Sequence, residues 1–425
     1  MNNNPTYQQP LCSPCATCDE SNTTTTRKRD ENETRTTASD TVRCVPQLRF
    51  PEFQNAGEWK TVELGAIVEY ENGVAHEQDI DVNGKYVLVN SKYISSNGQI
   101  EKRTDTPRCL AQKGDILMVL SDLPNGRALA KCFYVQENGK YTVNQRICKL
   151  RPRGVHSKFL YYLLDRNGYL LSFDDGVKQT NLKKDEVLRC PLIVPKTIEE
   201  QEYIADSLDA INSIILSAER TIGQLKSHKN ALLQKLFPQR GKTIPEFRFP
   251  EFLVAGEWEE KTFGDCLDYE QPQNYIVSSE NYKRSGVPVL TAGKTFVLGY
   301  TDENYGIYTD LPVIIFDDFT TACQYVDFAF KVKSSAIKML HTKKGYDLKF
   351  MYETIQRYIF EPKVHQRHWI GIFSKFKILV PPSIREQQKI ADSLLSIDND
   401  IFATTQKLEL LQQQKKALLQ QLFVK

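Results

Sequence analysis

Two stretches of the chain repeat apolar residues at alternating steps of four and three. In the first, Ile204, Leu208, Ile211, Ile215, Ala218, Ile222, Leu225, Leu232 and Leu236 follow this rhythm, with Lys229 where a further apolar residue is due. In the second, Ile390, Leu394, Ile397, Ile401, Thr404, Leu408, Leu411, Leu418 and Leu422 occupy the same positions 186 residues on, and Lys415 repeats the exception. Thr197 and Ser383 each stand three residues before a glutamate, Glu200 and Glu386, which is the capping-box spacing that opens a helix. A helix from Glu200 to Phe237 extends about 57 Å at about 1.5 Å per residue. One compact domain cannot cover so long and narrow a stripe, whereas two stripes in matching register cover each other. The short connection from Pro238 to Thr243 leads into a whole further region, which gives the second helix room to return. The expectation is an antiparallel pair that holds two intervening regions apart; two independent amphipathic helices, each lying on its own domain, are the other arrangement.

The repetition extends beyond the helices. Phe50-Pro51-Glu52-Phe53 and Ala56-Gly57-Glu58-Trp59 return as Phe249-Pro250-Glu251-Phe252 and Ala255-Gly256-Glu257-Trp258, 199 residues on. Since the helical blocks return after only 186, the inserts between opening and close differ by 13 residues, and their sequences share little. A duplicated frame with two different inserts suits a protein that reads two different things at a fixed separation. Each insert has a mixed α/β texture. Tyr86–Val89 and Asp115–Leu120 in the first, and Val287–Leu290, Pro312–Phe316 and Phe328–Val332 in the second, read as strands. Leu160–Leu171 and Leu348–Ile359 read as helices.

At 425 residues the chain is long enough for two or three cores, and 55 Lys and Arg against 53 Asp and Glu leave a net charge of +2. No global field marks a nucleic-acid binder, although a local basic surface remains compatible with that balance. No apolar run approaches the roughly 18 to 20 residues of a membrane helix, and the polar start lacks the features of a signal peptide, so a cytoplasmic protein without a membrane partner is expected. Cys12, Cys15, Cys18 and Cys44 have the number of ligands for a zinc site. Their Thr- and Asn-rich surroundings instead suit a disordered leader.

No motif carries catalysis. Ala292-Gly293-Lys294-Thr295 resembles the end of a phosphate-binding loop, but the glycine required at position 288 is Pro288. No Gly-x-Gly-x-x-Gly follows a strand, and no Asn- or Asp-Pro-Pro-aromatic string of the amino-methyltransferase kind is present. The acid pairs Asp174-Asp175 and Asp317-Asp318 are of a kind common in surface loops, and no metal site is assigned. Two loops suit base reading. Gly176 to Leu182, near the end of the first insert, and His365 to Trp369, near the end of the second, are rich in the amide and basic groups that pair with base edges in the major groove.

Two unlike inserts, each followed by a long helix, resemble the DNA-specificity subunit of type I restriction-modification systems. The matching residues are Val194-Pro195, Glu199-Glu200-Gln201 and Ile204 to Leu208 in the first half, and Val380-Pro381-Pro382, Arg385-Glu386-Gln387 and Ile390 to Leu394 in the second. Lys113 to Leu117 and Gly176 to Leu182 add to the likeness, while Gln366-Arg367-His368-Trp369 departs from it. The resemblance covers about residues 46–425. It implies an α+β protein: two similar mixed α/β target-recognition domains separated by two long antiparallel helices forming a coiled coil. The implied layout is a disordered leader (1–45), a first recognition domain (46–194), a first helical spacer (195–238), a second recognition domain (239–380) and a second spacer (381–425).

The resemblance further implies a non-catalytic chain that reads a bipartite sequence in double-stranded DNA. Two methyltransferase subunits would methylate adenine with S-adenosylmethionine, and motor-nuclease subunits would use ATP and Mg; the chain itself would need no cofactor. Expected DNA contacts are Arg103, Arg127, Lys178, Gln179, Asn181 and Lys183 in the first domain, and Lys283, Arg284, Lys294, Gln366, Arg367 and His368 in the second. The competing reading is a coiled-coil adapter that joins proteins and binds no DNA.

Overall fold

The computed structural model describes residues 44–124, 126–293, 295–358 and 368–424. The candidate zinc ligands Cys12, Cys15 and Cys18 lie outside them. The first region contains strands β1 (Lys60–Glu63), β2 (Val68–Asn72), β3 (Tyr86–Val89), β4 (Arg103–Thr104), β5 (Ile116–Val119), β6 (Ser121–Asp122), β7 (Cys132–Tyr134), β8 (Tyr141–Val143), β9 (Ile147–Pro152), β10 (Thr180–Asn181) and β11 (Pro191–Val194). Its helices are α1 (Ser91–Ser95), α2 (Ser157–Leu164), α3 (Gly168–Leu171) and α4 (Lys184–Leu188), and the long helix α5 (Ile198–Leu236) follows. The second region contains β12 (Glu259–Thr262), β13 (Leu267–Glu270), β14 (Val287–Leu290), β15 (Val297–Thr301), β16 (Val313–Asp317), β17 (Cys323–Val326), β18 (Lys331–Val332), β19 (Ile337–Thr342) and β20 (Lys377–Val380). It carries α6 (Phe263–Cys266) and α7 (Leu348–Gln356), and ends in α8 (Ile384–Leu422).

Despite their unlike sequences the two inserts share one topology. An antiparallel sheet of order β2-β9-β5-β7 in the first recurs as β13-β19-β16-β17 in the second, and the mixed sheet β4-β3-β8 recurs as β15-β14-β18. A short antiparallel pair, β1 with β11 and β12 with β20, ties the start of each insert to its end. The central strand explains why each insert can hold two small cores. All four residues of β5 are buried; Ile116 and Met118 face the core shared with the long helices, while Leu117 and Val119 face the core under the mixed sheet. In β16, Ile314 and Phe316 take the first direction, Val313 and Ile315 the second. The alternation is that of a strand covered on both faces, which reads in sequence as an uninterrupted apolar run.

Three expected elements differ. Leu160–Leu171 is two helices because Arg166 adopts a left-handed φ of 58° and the Asn167 side chain opens α3 by accepting from the Tyr169 amide at 3.0 Å. Only Lys331 and Val332 of the Phe328–Val332 run form a strand, with Phe330 bridged separately to Tyr308. Ser383 makes no side-chain cap on α8, whereas Thr197 accepts from the Glu200 amide at 3.3 Å.

The helices α5 and α8 pack antiparallel. Leu422 and Phe423, at the end of α8, enter the first region's core with Trp59, Phe159, Ile204 and Leu208. Leu236 and Phe237, at the end of α5, enter the second region's core with Trp258, Phe350, Ile390 and Leu394. Each insert is thus closed by the start of its own helix and the end of the other. Between these ends Ile211 and Ile215 of α5 and Ile397 of α8 are buried, and Ile222, Leu225, Leu232, Ile401, Leu408, Leu411 and Leu418 are half-buried. Half-burial is what a two-helix seam provides, because a pair covers one stripe of each helix and leaves its flanks to solvent. The exception in the rhythm also has its reason: Lys229 reaches out of the seam to Glu353 of α7 at 3.0 Å and Asp398 of α8 at 2.6 Å.

Candidate nucleic-acid interface

The sequence places Gln179 and Asn181 in a loop; the structure makes that loop one edge of a two-stranded ribbon. In β10, Thr180 pairs with Asp122 and Asn181 with Ser121 of β6. Gln179 donates through Nε2 to Ser121 Oγ at 2.9 Å and to Asn181 Oδ1 at 3.2 Å, so Ser121, Gln179 and Asn181 share one face. Gln179 and Asn181 are both exposed. The acid pair before them builds the approach to the ribbon: Asp174 accepts from the Gly176 amide and the Thr180 hydroxyl, and Asp175 from the amides of Val177 and Lys178. These four bonds, two from each carboxylate, hold the segment in shape.

The adjoining loop is fixed from β6. Asp122 accepts from the amides of Leu123 at 2.9 Å, Ala128 at 2.6 Å and Leu129 at 3.2 Å, and Gly126 lies so near that a Cβ there would stand 2.1 Å from Asp122 Oδ2. Only glycine admits the carboxylate at that distance. This loop presents Arg127, exposed and without a hydrogen-bond partner among the described residues, and Lys178, before β10, is exposed as well. The ribbon and the segment before it therefore carry Lys178, Gln179 and Asn181, and the loop that follows β6 carries Arg127. The role of Asp122 and Gly126 was not foreseen in the sequence, although a carboxylate, a proline and a glycine within five residues is the composition of a tight turn.

Other expected contacts are dispersed. Lys183 begins α4, where its amide donates to Glu186 at 2.7 Å while its ammonium stays exposed 3.9 Å from that carboxylate. Arg103 lies on β4 in the mixed sheet, paired with Glu101 and donating to the Gly84 carbonyl at 3.1 Å. In the second region Lys283 pairs with Asp302, and Arg284 beside it is exposed. Lys294, Gln366 and Arg367 lie outside the described residues.

His368 is corrected by the structure. It is only 2% exposed, and its amide donates to the Asp318 carbonyl at 2.9 Å. The Leu182 amide donates in the same way to the Leu120 carbonyl at 2.8 Å. The positions coincide: His368 takes the place of the buried Leu182, not that of the exposed Gln179. Trp369 follows, 1% exposed, with its amide held by Asp318 Oδ1 at 2.8 Å. Asp318 thus anchors the chain, and Asp317 caps the turn by accepting from the amides of Phe319 and Thr320 at 2.9 Å each. Both acid pairs shape loops. Among the described residues no cluster of three or more His, Cys, Asp or Glu side chains is placed to hold a metal ion.

Two copies of one fold lie at opposite ends of an antiparallel helix pair, with an exposed amide-rich ribbon on the first, and known proteins show the same features in part. Residues 56–227 match the family model described as the type I restriction modification DNA specificity domain. The first half of the chain carries this domain. It is 43% identical over 156 residues to the specificity subunit of the type I restriction enzyme EcoR124I/EcoR124II from Escherichia coli, a match spanning 35% of this chain and 39% of that subunit. A longer match, 23% identical over 416 residues, covers 88% of this chain and 92% of the MjaVIII specificity subunit from Methanocaldococcus jannaschii. The crystal structure of the type I restriction-modification S subunit from M. genitalium superposes with a TM-score of 0.66 at 17% identity, over 90% of this chain and 99% of that one, a likeness of fold. The protein is α+β, and no helix among its described residues is long and apolar enough to cross a membrane.

Proposed function

We propose that this chain is the DNA-reading subunit of a type I restriction-modification complex, working in the cytoplasm. Each recognition domain binds one half of a split DNA sequence. In the first, Gln179 and Asn181 read base edges while Arg127, Lys178 and Lys183 neutralise phosphates, and Arg103 adds positive charge farther away on the mixed sheet. In the second, Lys283, Arg284, Lys294, Gln366 and Arg367 serve these purposes. The helix pair sets the distance between the half-sites and offers docking surfaces to two methyltransferase subunits. Chemistry belongs to the partners: S-adenosylmethionine-dependent adenine methylation in the methyltransferases, and ATP- and Mg-dependent translocation and cleavage in motor-nuclease subunits.

The observation that carries this reading is the exposed Gln179 and Asn181 pair on a hydrogen-bonded ribbon, within a domain that α5 and α8 hold far from its twin. Long-read mapping of adenine methylation tests it in cells that co-express the chain with its methyltransferase subunit, against that subunit alone. A split motif methylated only when the chain is present is the expected result. A stable complex with no new methylation would overturn the reading in favour of an adapter.

A further inference from the structure

The ribbon that bears Gln179 and Asn181 also carries an apolar side chain with no role in folding. Leu123 follows Asp122 as Gln179 precedes Thr180, so the two leave the β6–β10 ladder at the same end. Leu123 is 68% exposed although it sits in a turn held by two hydrogen bonds, its own amide to Asp122 at 2.9 Å and the Gly126 amide to its carbonyl at 2.9 Å. The side chain is held in water by a rigid backbone.

The amides beside it are partly spoken for. Both Nε2 hydrogens of Gln179 are engaged, with Ser121 Oγ and Asn181 Oδ1, and the Asn181 oxygen accepts one of them. What remains is the Gln179 carbonyl oxygen and the Asn181 amino group, an acceptor next to a donor. Adenine presents the complement in the major groove, a donor at N6 and an acceptor at N7, and the thymine paired with it presents a C5-methyl group that apolar side chains contact. A guanine edge, with two acceptors, would leave the Gln179 oxygen facing another oxygen.

We infer that this ribbon reads an A·T base pair, the joined amides of Gln179 and Asn181 on adenine and Leu123 against the thymine methyl. The inference rests on the proposed DNA-reading function and names the base pair within it.

The test uses the full chain assembled with its methyltransferase subunit, on duplexes carrying the mapped recognition sequence. Each dT of both half-sites is replaced in turn by dU, which removes only the methyl group, and affinity is read by fluorescence anisotropy. The first domain's half-site is the one where Gln179→Ala alters discrimination. One dU in that half-site should weaken binding about fourfold, the worth of one buried methyl-sized group, and Leu123→Ala should erase the difference between dT and dU there alone. Because Leu123 is exposed, the substitution leaves the core untouched. Sequence-specific binding with equal dT and dU affinity throughout, or a dT preference that survives Leu123→Ala, would overturn the inference and leave the DNA-reading function standing. A complex with no sequence-specific affinity would overturn both.

Discussion

Arg49 holds Glu200 by two parallel hydrogen bonds, Nε to Oε1 and Nη2 to Oε2, each 2.8 Å, across 151 residues of sequence. The Trp59 indole adds a third at 3.0 Å to Oε1. The second half repeats the arrangement with Arg248, Glu386 and Trp258 at 2.7, 2.7 and 3.3 Å. Both repeated tryptophans and the glutamate at the third position of each long helix therefore serve one purpose. They lock the start of each region to the start of its long helix, so that the helix length becomes a fixed separation. Arg49→Met would leave Glu200, 1% exposed, charged and without its cation. The expected loss is about 3–5 kcal/mol, measured by urea unfolding, and adding Glu200→Gln should restore part of it.

Lys229 is a second such link, from α5 to both α7 and α8. Burial is the largest influence on Glu353 and raises its carboxyl above the usual range, with Lys229 pulling it back. Lys229→Met should cost on the order of 3 kcal/mol at neutral pH, chiefly through the nearly buried Glu353. In that variant the folded state binds the Glu353 proton more tightly than the unfolded state, so the loss should shrink as pH falls toward the ordinary glutamate value. Unfolding curves at about pH 7.5 and about pH 5.5 would show a constant deficit if Glu353 had no part in it.

The proposed function assigns base reading and phosphate binding to different residues of the ribbon. Gln179→Ala should cost about 1–3 kcal/mol of discrimination at one position of one half-site, whereas Lys178→Ala should weaken all sequences alike and lower the salt dependence by about one charge. Competition binding against single-base variants at several salt concentrations tells the two outcomes apart.

His368 stands where the first domain has Leu182. His368→Leu should therefore leave the second half-site's sequence preference unchanged, as read by methylation mapping. A changed base at any position would assign His368 a reading role in spite of its burial.

The separation of half-sites should follow the helix pair as a unit. Seven residues added at the middle of both α5 and α8 would lengthen the pair by about 10 Å while preserving its heptad register, and the mapped spacer should grow. The same insertion in α5 alone sets Leu236 and Phe237 against a core that α8 still fixes at the old distance, so reduced thermal stability or a lost motif is expected.

Local pattern was enough for the frame. The alternating steps from Ile204 to Leu236 and from Ile390 to Leu422 determined two long helices, and their shared register favoured pairing over two helices each lying on its own domain. The repeated openings, the mixed α/β texture of the inserts and the amide-rich loop at Gly176–Leu182 were equally legible, since each depends on residues close in sequence. Partners far apart in sequence were decided only in three dimensions. Nothing near Glu200 announces that it binds Arg49 and Trp59 rather than capping its helix, and nothing near Lys229 names Glu353 and Asp398. The placing of His368 shows the reason most directly: a histidine among glutamine and arginine reads as a surface group, but the hydrogen bond from its amide to the Asp318 carbonyl sets it at the buried site that Leu182 holds in the other half. Sequence fixes periodicity and local turns, whereas which polar groups meet inside and which remain outside is decided by the packing of strands and helices that the chain brings together from afar.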